Sequence, residues 1–409
     1  MPGPGSYLIG DEERKEVLDV LESKYLFRYG RADDPRFKRK VYTFEQELAK
    51  YMGVKHAIAL SSGTGALLTC LAALGIGPGD EVIVPGYTFL ASMSSIVFSR
   101  AIPILAEIDE SLTIDPNDIE KKISNKTKAI MPVHMLGNPC NMDAVMDIAK
   151  KHGLYVIEDA AQATGGSYKG KKLGSIGNIG AYSLNASKVI GAGDGGALIV
   201  DDDELYERAY GFHDQGHKPI RMGIELGRRT ILGYTFRMNE LTGAIALAQL
   251  RKIDKILEML RKQKRKLKDA ISDIKGIKFR RINDEGEVAT LIGIIFKDKN
   301  TAKKFSQKIG QMTLYESGWH VYSNMEHLLN KRMPTEIACP FTCPYYGKEI
   351  EYDAHMLPQT DDLLERSVII SVGVIEPLLG SGFGINILSD DKEIQGVADR
   401  IKKVMKEIS

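Results

Sequence analysis

The sequence predicts an α/β fold in which a parallel sheet is covered by helices on both faces and is followed by a smaller α+β unit. Short apolar segments without polar alternation recur at residues 57–60, 81–85, 103–109, 128–134 and 154–159. Such strands are typical of parallel sheets buried on both faces, and here helical stretches of ~10 residues separate them. Right-handed crossovers place the carboxyl ends of parallel strands at one edge, where α/β sheets bind ligands.

Two helices precede this alternation. Asp11 is expected to cap a helix over 11–23. Thr43 and Gln46 form a capping-box pattern that predicts the start of a second helix, and Gly53 would end it. The aromatic and basic stretch between them reads as a loop.

The pattern changes in the second half of the chain. A helical pattern covers 201–212, and a longer one runs from 239 to about 274. A strand at 288–296, a helix at 301–310 and a closing helix at 390–408 follow. We therefore expect a large domain over residues 1–250 and a small α+β domain over residues 251–409.

The composition is that of a globular protein and disfavours several classes of function. The chain has 409 residues, of which 43% are hydrophobic and 27% charged. A net charge of +1 gives no overall case for a nucleic-acid or membrane partner, and the basic run at 261–269 is expected to be the solvated face of a helix. No apolar run approaches the ~18 residues of a membrane span, and the first residues lack a secretory pattern. A cytoplasmic location is expected.

The four cysteines do not form the pattern of a disulfide framework. Cys339 and Cys343 lie in CPFTC, and three histidines (His320, His327 and His355) are near in sequence. Metal sites usually show a tighter repeated spacing, so we expect buried or loop cysteines and no metal.

The stretch from Leu154 to Val200 is the centre of the functional interpretation. Its apolar strand ends in Glu158 and Asp159, and Lys188 follows Asp159 by 188 − 159 = 29 residues. An acid that pairs with a pyridine nitrogen and a lysine that forms a Schiff base are what pyridoxal-phosphate chemistry requires. The alternative is that Asp159 caps a helix and that Lys188 is an ordinary surface residue.

Two earlier segments bear on this choice. Ser62, Gly63 and Thr64 lie where a strand leads into a helix, and free N–H groups at a helix N-terminus can cradle a phosphate. Phe89 follows the next strand and would either stack on a flat heteroaromatic ring or pack into the core. Because all these strands end at one edge, the segments converge.

The order of five segments resembles that of the DegT/DnrJ-type sugar aminotransferases: SSGTGAL (61–67), VPGYTFLAS (84–92), EDAAQATGGSYKGKKLGSIG (158–177), YSLNASK (182–188) and GDGGAL (193–198). The resemblance runs from about Phe44 to near Ile253 and resumes at 357–372 and the closing helix. It implies the pyridoxal-phosphate transferase fold type I: a three-layer α/β/α arrangement around a mostly parallel seven-stranded sheet, with a smaller C-terminal α+β domain.

The resemblance also implies an activity. The chain would move an amino group from L-glutamate to a keto-sugar through pyridoxal 5'-phosphate and its pyridoxamine form, as a homodimer with shared active sites. Segments such as FRYG (27–30) and GGSYKG (165–170) are most similar to the 8-amino-3,8-dideoxy-octulosonate aminotransferases. The acceptor would then be an 8-oxo-3-deoxy-octulosonate or a nucleotide-linked sugar.

Site roles follow from the same resemblance. Lys188 would form the Schiff base and carry the proton, Asp159 would bind the pyridine nitrogen, and Gln162 would contact the ring's phenolic oxygen. The other implied cofactor contacts are Phe89 against the ring, and Gly63, Thr64 and Ser183 around the phosphate.

Two positions depart from the family pattern. The chain has GYTFRM with Thr235 where the family usually has an asparagine that reaches the phosphate across the dimer. Threonine keeps one hydroxyl donor but is shorter, so that contact would be lost or bridged by water. Asn185 replaces the aromatic residue or histidine that often precedes the lysine.

Other classes of protein would require different sequence features. A sugar dehydratase of this fold would lack Lys188. A non-catalytic pyridoxal-phosphate-binding regulator would be expected to carry a helix-turn-helix extension, and a nicotinamide enzyme would show the G-x-G-x-x-G fingerprint.

Three arginines are candidates for binding a donor or substrate carboxylate, or else are solvated loop residues: Arg28, Arg228 and Arg229.

Overall fold

The structure is a computed structural model that describes residues 3–219, 229–318, 320–335 and 339–408. Its strands are β1 (His56–Leu60), β2 (Glu81–Pro85), β3 (Ile102–Ala106), β4 (Thr127–Ile130), β5 (Tyr155–Asp159), β6 (Ser167–Tyr168), β7 (Lys171–Lys172), β8 (Ile179–Ser183), β9 (Gly196–Val200), β10 (Lys278–Phe279), β11 (Leu291–Ile295) and β12 (Ser367–Ser371). Its α-helices are α1 (Asp11–Ser23), α2 (Lys40–Met52), α3 (Gly63–Ala73), α4 (Leu90–Phe98), α5 (Pro116–Lys122), α6 (Met142–His152), α7 (Asp203–His213), α8 (Glu240–Leu250), α9 (Ile253–Ile271), α10 (Lys299–Ile309), α11 (Glu326–Leu329), α12 (Pro358–Glu365) and α13 (Asp391–Ile408).

Seven of these strands form one sheet in the order β1-β9-β8-β5-β4-β2-β3. From β8 to β3 every neighbouring pair is parallel, whereas β9 runs antiparallel to both of its neighbours, β1 and β8. The expected mostly parallel seven-stranded sheet is therefore confirmed. Because β1, β2, β4, β5 and β8 point the same way, the segments that follow them meet at one edge.

Helices cover both faces of this sheet, as alternate residues of β2 show. Ile83 packs in an apolar cluster with residues of α2, α6 and α8. Val82 and Val84 point to the other face, where they pack with residues of α3, α4 and α7. The three-layer α/β/α arrangement expected from the resemblance is confirmed, and each fully buried aliphatic side chain in it contributes about 1.5–3 kcal/mol.

A smaller antiparallel sheet, β10-β11-β12, lies in the second half of the chain. Ile294 of β11 packs in the same cluster as Phe305 of α10 and Ile401 of α13, and that cluster also holds Ala57 of the large sheet. The two sheets thus share apolar packing, and the division at residue 250 stays a prediction. None of the described helices has the length and apolar character needed to cross a membrane.

Several expected helix boundaries differ from the structure, three of them for informative reasons. Helix α1 begins at Asp11 with Gly10 as its cap, and α2 begins at Lys40, three residues before Thr43. The Glu240 carboxylate accepts the N–H groups of Lys40 (2.7 Å) and Val41 (3.1 Å), so a residue of α8 supplies the cap that Thr43 was expected to provide. The long helical pattern from 239 to 274 corresponds to two separate helices, α8 and α9. Helix α8 packs on α1 and α2, whereas α9 packs on α13.

A buried ion pair links the loop before α2 to the first strand. Arg28 Nη2 lies 2.7 Å from Glu45 Oε1, and the two side chains are 1% and 0% exposed. The same Glu45 oxygen accepts the N–H of Ala59 (2.7 Å), and Arg28 Nη1 donates to the Ala59 carbonyl (2.9 Å). Both backbone groups of Ala59, one residue before the end of β1, are therefore held by this pair.

We expect Glu45→Gln to lower the free energy of unfolding by about 3–5 kcal/mol, because it removes the carboxylate that pairs with the buried Arg28 guanidinium. Urea unfolding followed by circular dichroism measures the change. Asp33→Asn, which breaks an exposed pair with Arg31, is the matched control and should leave the midpoint unchanged. Equal midpoints for Glu45→Gln and the wild type would contradict the assignment.

Candidate active site

A cavity of about 280 Å³ lies at the edge of the large sheet where the parallel strands end. The segments after β1, β2, β5 and β8 all contribute to its wall. The residues proposed from the sequence that line it are Gly63, Thr64, Phe89, Asp159, Gln162, Ser183 and Lys188. Side chains far apart in sequence are thus brought to one place, as the strand order requires.

One end of the cavity is the N-terminus of α3. Ser62 has extended dihedral angles, and its Oγ accepts the N–H of Gly65 (3.0 Å), which starts the helix. The N–H groups of Gly63 and Thr64 belong to the first helical turn, which has no intrahelical partners for them. A Cβ at position 63 would lie 2.9 Å from Cβ of Ser183, so only glycine leaves room there. This end suits an anion of the size of a phosphate.

The acid of the site is Asp159, the last residue of β5, which is 4% exposed. Its Oδ2 accepts a hydrogen bond from Ser92 Oγ (2.7 Å), and its Oδ1 accepts the N–H of Ala161 (3.1 Å). Burial raises the pKa of Asp159, while the hydrogen bonds from Ser92 and Ala161 and the charge of Lys188 oppose that rise.

The lysine of the site lies in a tightly held loop between β8 and β9. Lys188 N donates to the Asn185 carbonyl (2.9 Å), Ala186 N to Gly193 (2.9 Å), and Ser187 Oγ to Asn185 Oδ1 (3.1 Å). Loss of hydration lowers the pKa of the Lys188 ammonium, and the Asp159 carboxylate opposes this. An amine with a lowered pKa is suited to nucleophilic attack and to proton transfer.

The N-terminal segment, to which the sequence had given no role, holds this loop from outside. Gly3 N and Ser6 Oγ both donate to the Ala186 carbonyl at 2.8 Å. Gly3 and Gly5 are buried, and a Cβ at position 3 would come within 2.2 Å of the Ser187 backbone. The glycines of this segment are therefore needed for close approach to the lysine loop.

Three side chains form the wall between Lys188 and the small sheet. Gln162 Oε1 accepts the N–H of Leu136 (2.9 Å), which directs its amide nitrogen to His320 Nε2 at 3.5 Å. The ring of Phe89, 44% exposed, meets the His320 ring edge-on with centroids 5.9 Å apart. Burial, together with the charge of Lys188, lowers the pKa of His320 to about 3, so the imidazole is neutral.

His320 was considered from the sequence only beside the cysteines, and no local pattern marked it as part of this site. It also lines a second cavity of about 60 Å³, together with Gln162 and Lys188. The apolar residues of that cavity include Leu136, Leu291 and Ile369. The wall around Lys188 is therefore completed by residues of the small sheet.

Several residues considered from the sequence lie elsewhere. Arg28 is not a solvated loop residue, and its guanidinium is paired with Glu45, which leaves it unsuited to bind a substrate carboxylate. Arg229 Nη1 contacts His217 Nδ1 away from the cavity lining, and Arg228 falls outside the described residues. Thr235 is exposed and does not line this chain's cavity.

The side chains of Cys339 and Cys343, the two cysteines of CPFTC, are neighbours. Cys343 is buried and Cys339 partly exposed, and a hydrogen bond between their side chains raises the pKa of Cys339. Over the described part of the chain, no group of three or more His, Cys, Asp or Glu side chains could hold a metal ion.

The residues present fit pyridoxal phosphate. The helix N-terminus with its glycine matches the phosphate, the Asp159 carboxylate the pyridine nitrogen, and Phe89 the ring face. The Lys188 amine lies in the same cavity and would form the covalent link to the cofactor.

We expect Gly196→Ala to disrupt the phosphate end of the cavity. A Cβ at this first residue of β9 would lie 2.3 Å from the Ser62 carbonyl oxygen and 2.6 Å from Gly63 N, so the backbone around the helix start must move. Stability should fall by about 1–3 kcal/mol in urea unfolding. Pyridoxal-phosphate affinity, measured by fluorescence titration, should fall as well.

Gly396→Ala is the control for Gly196→Ala. Position 396 lies in α13 with open space around it, so a helical alanine should raise stability by about 0.5–1 kcal/mol and leave affinity unchanged. A Gly196→Ala protein that binds the cofactor as the wild type does would contradict the proposed cradle.

Comparison with known proteins finds several similar chains. GDP-perosamine synthase of Caulobacter vibrioides is 41% identical over 246 residues, which is 60% of this chain and 63% of that protein. Spore coat polysaccharide biosynthesis protein SpsC of Bacillus subtilis is 32% identical over 406 residues, covering 98% and 96% of the two chains. The crystal structure of an aminotransferase from Psychrobacter cryohalolentis aligns over 100% of this chain and 99% of its own, with 28% identity and a TM-score of 0.79.

The family model for DegT/DnrJ/EryC1/StrS aminotransferases matches residues 8–374. That range contains every residue of the cavity described above. The chain belongs to the DegT/DnrJ/EryC1/StrS aminotransferase family.

Proposed function

We propose that this protein is a pyridoxal-phosphate-dependent aminotransferase that moves an amino group from L-glutamate to a keto-sugar. The observation that carries the proposal is that Asp159 and Lys188 line one cavity with a helix N-terminus. Family membership supports the reaction type. The names of the two relatives given above, a GDP-perosamine synthase and a polysaccharide biosynthesis protein, support a sugar as acceptor.

The bound cofactor supplies an electron sink for the negative charge that develops at the α-carbon of the amine substrate. Asp159 would hold a proton on the pyridine nitrogen, and its buried position would make that interaction strong. Phe89 would cover the ring face, and Gln162 would bind the phenolic oxygen. Gly63, Thr64 and Ser183 fix the phosphate, so the reacting carbon stays in reach of Lys188.

Lys188 has two tasks in this scheme. Its amine would be the covalent anchor of the cofactor. When it is not serving as the anchor, Nζ would accept and return the proton of the substrate's α-carbon as a general base and acid. The lowered pKa of Lys188 favours the unprotonated amine that both tasks require.

A second copy of the chain is the partner that we propose, with the active sites shared in a homodimer. Thr235 is exposed on this chain and pairs with Asp214 in an isolated β-bridge, so its side chain is free to face a neighbour. In this arrangement its hydroxyl replaces the family's asparagine at the partner's phosphate, directly or through a water molecule. Location in the cytoplasm is part of the same proposal.

The acceptor that we favour is a nucleotide-linked keto-sugar, because a relative that is 41% identical is named for a GDP-linked product. An 8-oxo-3-deoxy-octulosonate is the second candidate, and it rests on the short segments compared in the sequence. A panel of keto-sugars with L-glutamate or L-glutamine as donor, assayed by mass spectrometry, separates the two. Turnover of octulosonate-type ketones alone would reverse our preference.

We expect Lys188→Ala to abolish the visible absorption band of the lysine-linked cofactor and to lower amino transfer by at least about 10²-fold, since it removes both the anchor and the proton carrier. In the wild type, L-glutamate should bleach that band. The measurement is a spectrophotometric titration of the purified protein.

Lys172→Ala is the matched control for Lys188→Ala. Burial also lowers the pKa of Lys172, but its Nζ bonds to Tyr51 outside the cavity, so band and bleaching should persist. A wild-type protein whose band no amino donor changes would instead be a non-catalytic regulator.

A further inference from the structure

Two buried hydroxyl groups lead to Asp159 from the segment after β2. Ser92 Oγ lies 2.7 Å from Asp159 Oδ2, and Thr88 Oγ1 lies 2.7 Å from Ser92 Oγ. Thr88, Ser92 and Asp159 are 0%, 0% and 4% exposed. Phe89, between the two hydroxyl residues in sequence, is the side chain that reaches the cavity mouth.

The direction of these hydrogen bonds follows from counting protons. An ionised carboxylate only accepts, so Ser92 must donate its single hydroxyl hydrogen to Asp159. Ser92 Oγ can then only accept from Thr88, and both O–H dipoles point towards the acid. The N–H of Ala161 bonds the other oxygen (3.1 Å), so one donor restrains each carboxylate oxygen.

The main chain fixes both hydroxyl residues. Ser92 lies in the first turn of α4, where its N–H donates to the Phe89 carbonyl (3.1 Å). Thr88 N donates to the His320 carbonyl (2.9 Å). Thr88 and Ser92, four residues apart, therefore both direct their hydroxyl groups towards the Asp159 carboxylate. The Phe89 side chain remains at the cavity, where it can cover a ring.

We propose that Ser92, supported by Thr88, is a positioning residue that keeps the Asp159 carboxylate ionised and directed at the pyridine nitrogen. The inference rests on the proposed function, because it concerns how Asp159 meets the cofactor. It goes further by assigning a role to two residues that do not need to touch the reacting atoms. Without the Ser92 donor, the buried Asp159 carboxylate would lose one of the hydrogen bonds that favour its ionised form, the form that can accept the proton on the ring nitrogen.

The test is a titration of apo-protein with pyridoxal phosphate and with its 1-deaza analogue, which has carbon in place of the ring nitrogen. Ser92→Ala should weaken pyridoxal-phosphate binding by about 10- to 100-fold, the usual effect of a lost hydrogen bond to a charged group. Binding of the deaza analogue, which has no nitrogen for Asp159, should change by less than about twofold. Thr88→Val should show a smaller loss of the same kind.

Ser95→Ala is the matched control, since Ser95 is equally buried on α4 but donates to the Ser92 carbonyl (3.0 Å) rather than to the acid. It should bind both ligands as the wild type does. Equal losses for both ligands in Ser92→Ala, or no loss for either, would overturn the inference. A wild-type protein that binds neither ligand would instead overturn the proposed function. If Ser92→Ala does not fold, the ligand selectivity of Thr88→Val decides.

Discussion

Strand β5 ends in two adjacent buried carboxylates, and the geometry of the site depends on the different partners they have. Successive side chains of a strand point to opposite faces, so Glu158 and Asp159 diverge. Glu158 accepts the N–H groups of Gly174 (2.7 Å), Ile176 (2.6 Å) and Gly177 (2.6 Å), and His134 Nε2 lies 3.0 Å away. Four donors fill the capacity of a carboxylate. Glu158 is thus fully used in holding the chain, whereas Asp159 faces the cavity.

The same strand end connects the large sheet to the small one. His134 Nδ1 accepts the N–H of Cys140 (3.1 Å), so the ring proton lies on Nε2 and points to Glu158. The turn that follows His134 is held from the other side, where Arg280 Nη2 donates to the Leu136 carbonyl (2.9 Å). Since Leu136 N is the donor that orients Gln162, the placement of the small sheet bears directly on a side chain of the cavity. The orientation of Gln162 and the position of the small sheet are therefore coupled through one turn.

Local patterns in the sequence predicted much of the fold, and long-range partners account for what they missed. Strand β2 has the bounds expected, because an apolar run between turn residues needs no distant partner to define it. The predicted start of α2 was wrong because the helix is capped by Glu240, which is distant in sequence. Neither role considered for Arg28, carboxylate binding or a solvated loop position, fits the structure, because Glu45 is its buried counter-ion. Motif order predicted Lys188, Asp159 and the cradle. It could not predict Ser92 or His320, whose roles depend on which side chains the fold places against them.

The spacing of Asp159 and Lys188 illustrates how a local contact determines a distant one. Strands β5 and β8 are neighbours, with Asp159 opposite Ala181, so the chain between them must leave the sheet and return in register. By binding the N–H groups of Gly174, Ile176 and Gly177, Glu158 fixes the turn from which β8 begins. A shift of one residue in the pairing of β8 with β5 would turn the Ser183 side chain to the opposite face of the sheet, because the side-chain period of a strand is two. The loop that carries Lys188 follows Ser183 and would be displaced as well. Glu158, which has no role in the proposed chemistry, therefore sets the register that brings Lys188 into the same cavity as Asp159.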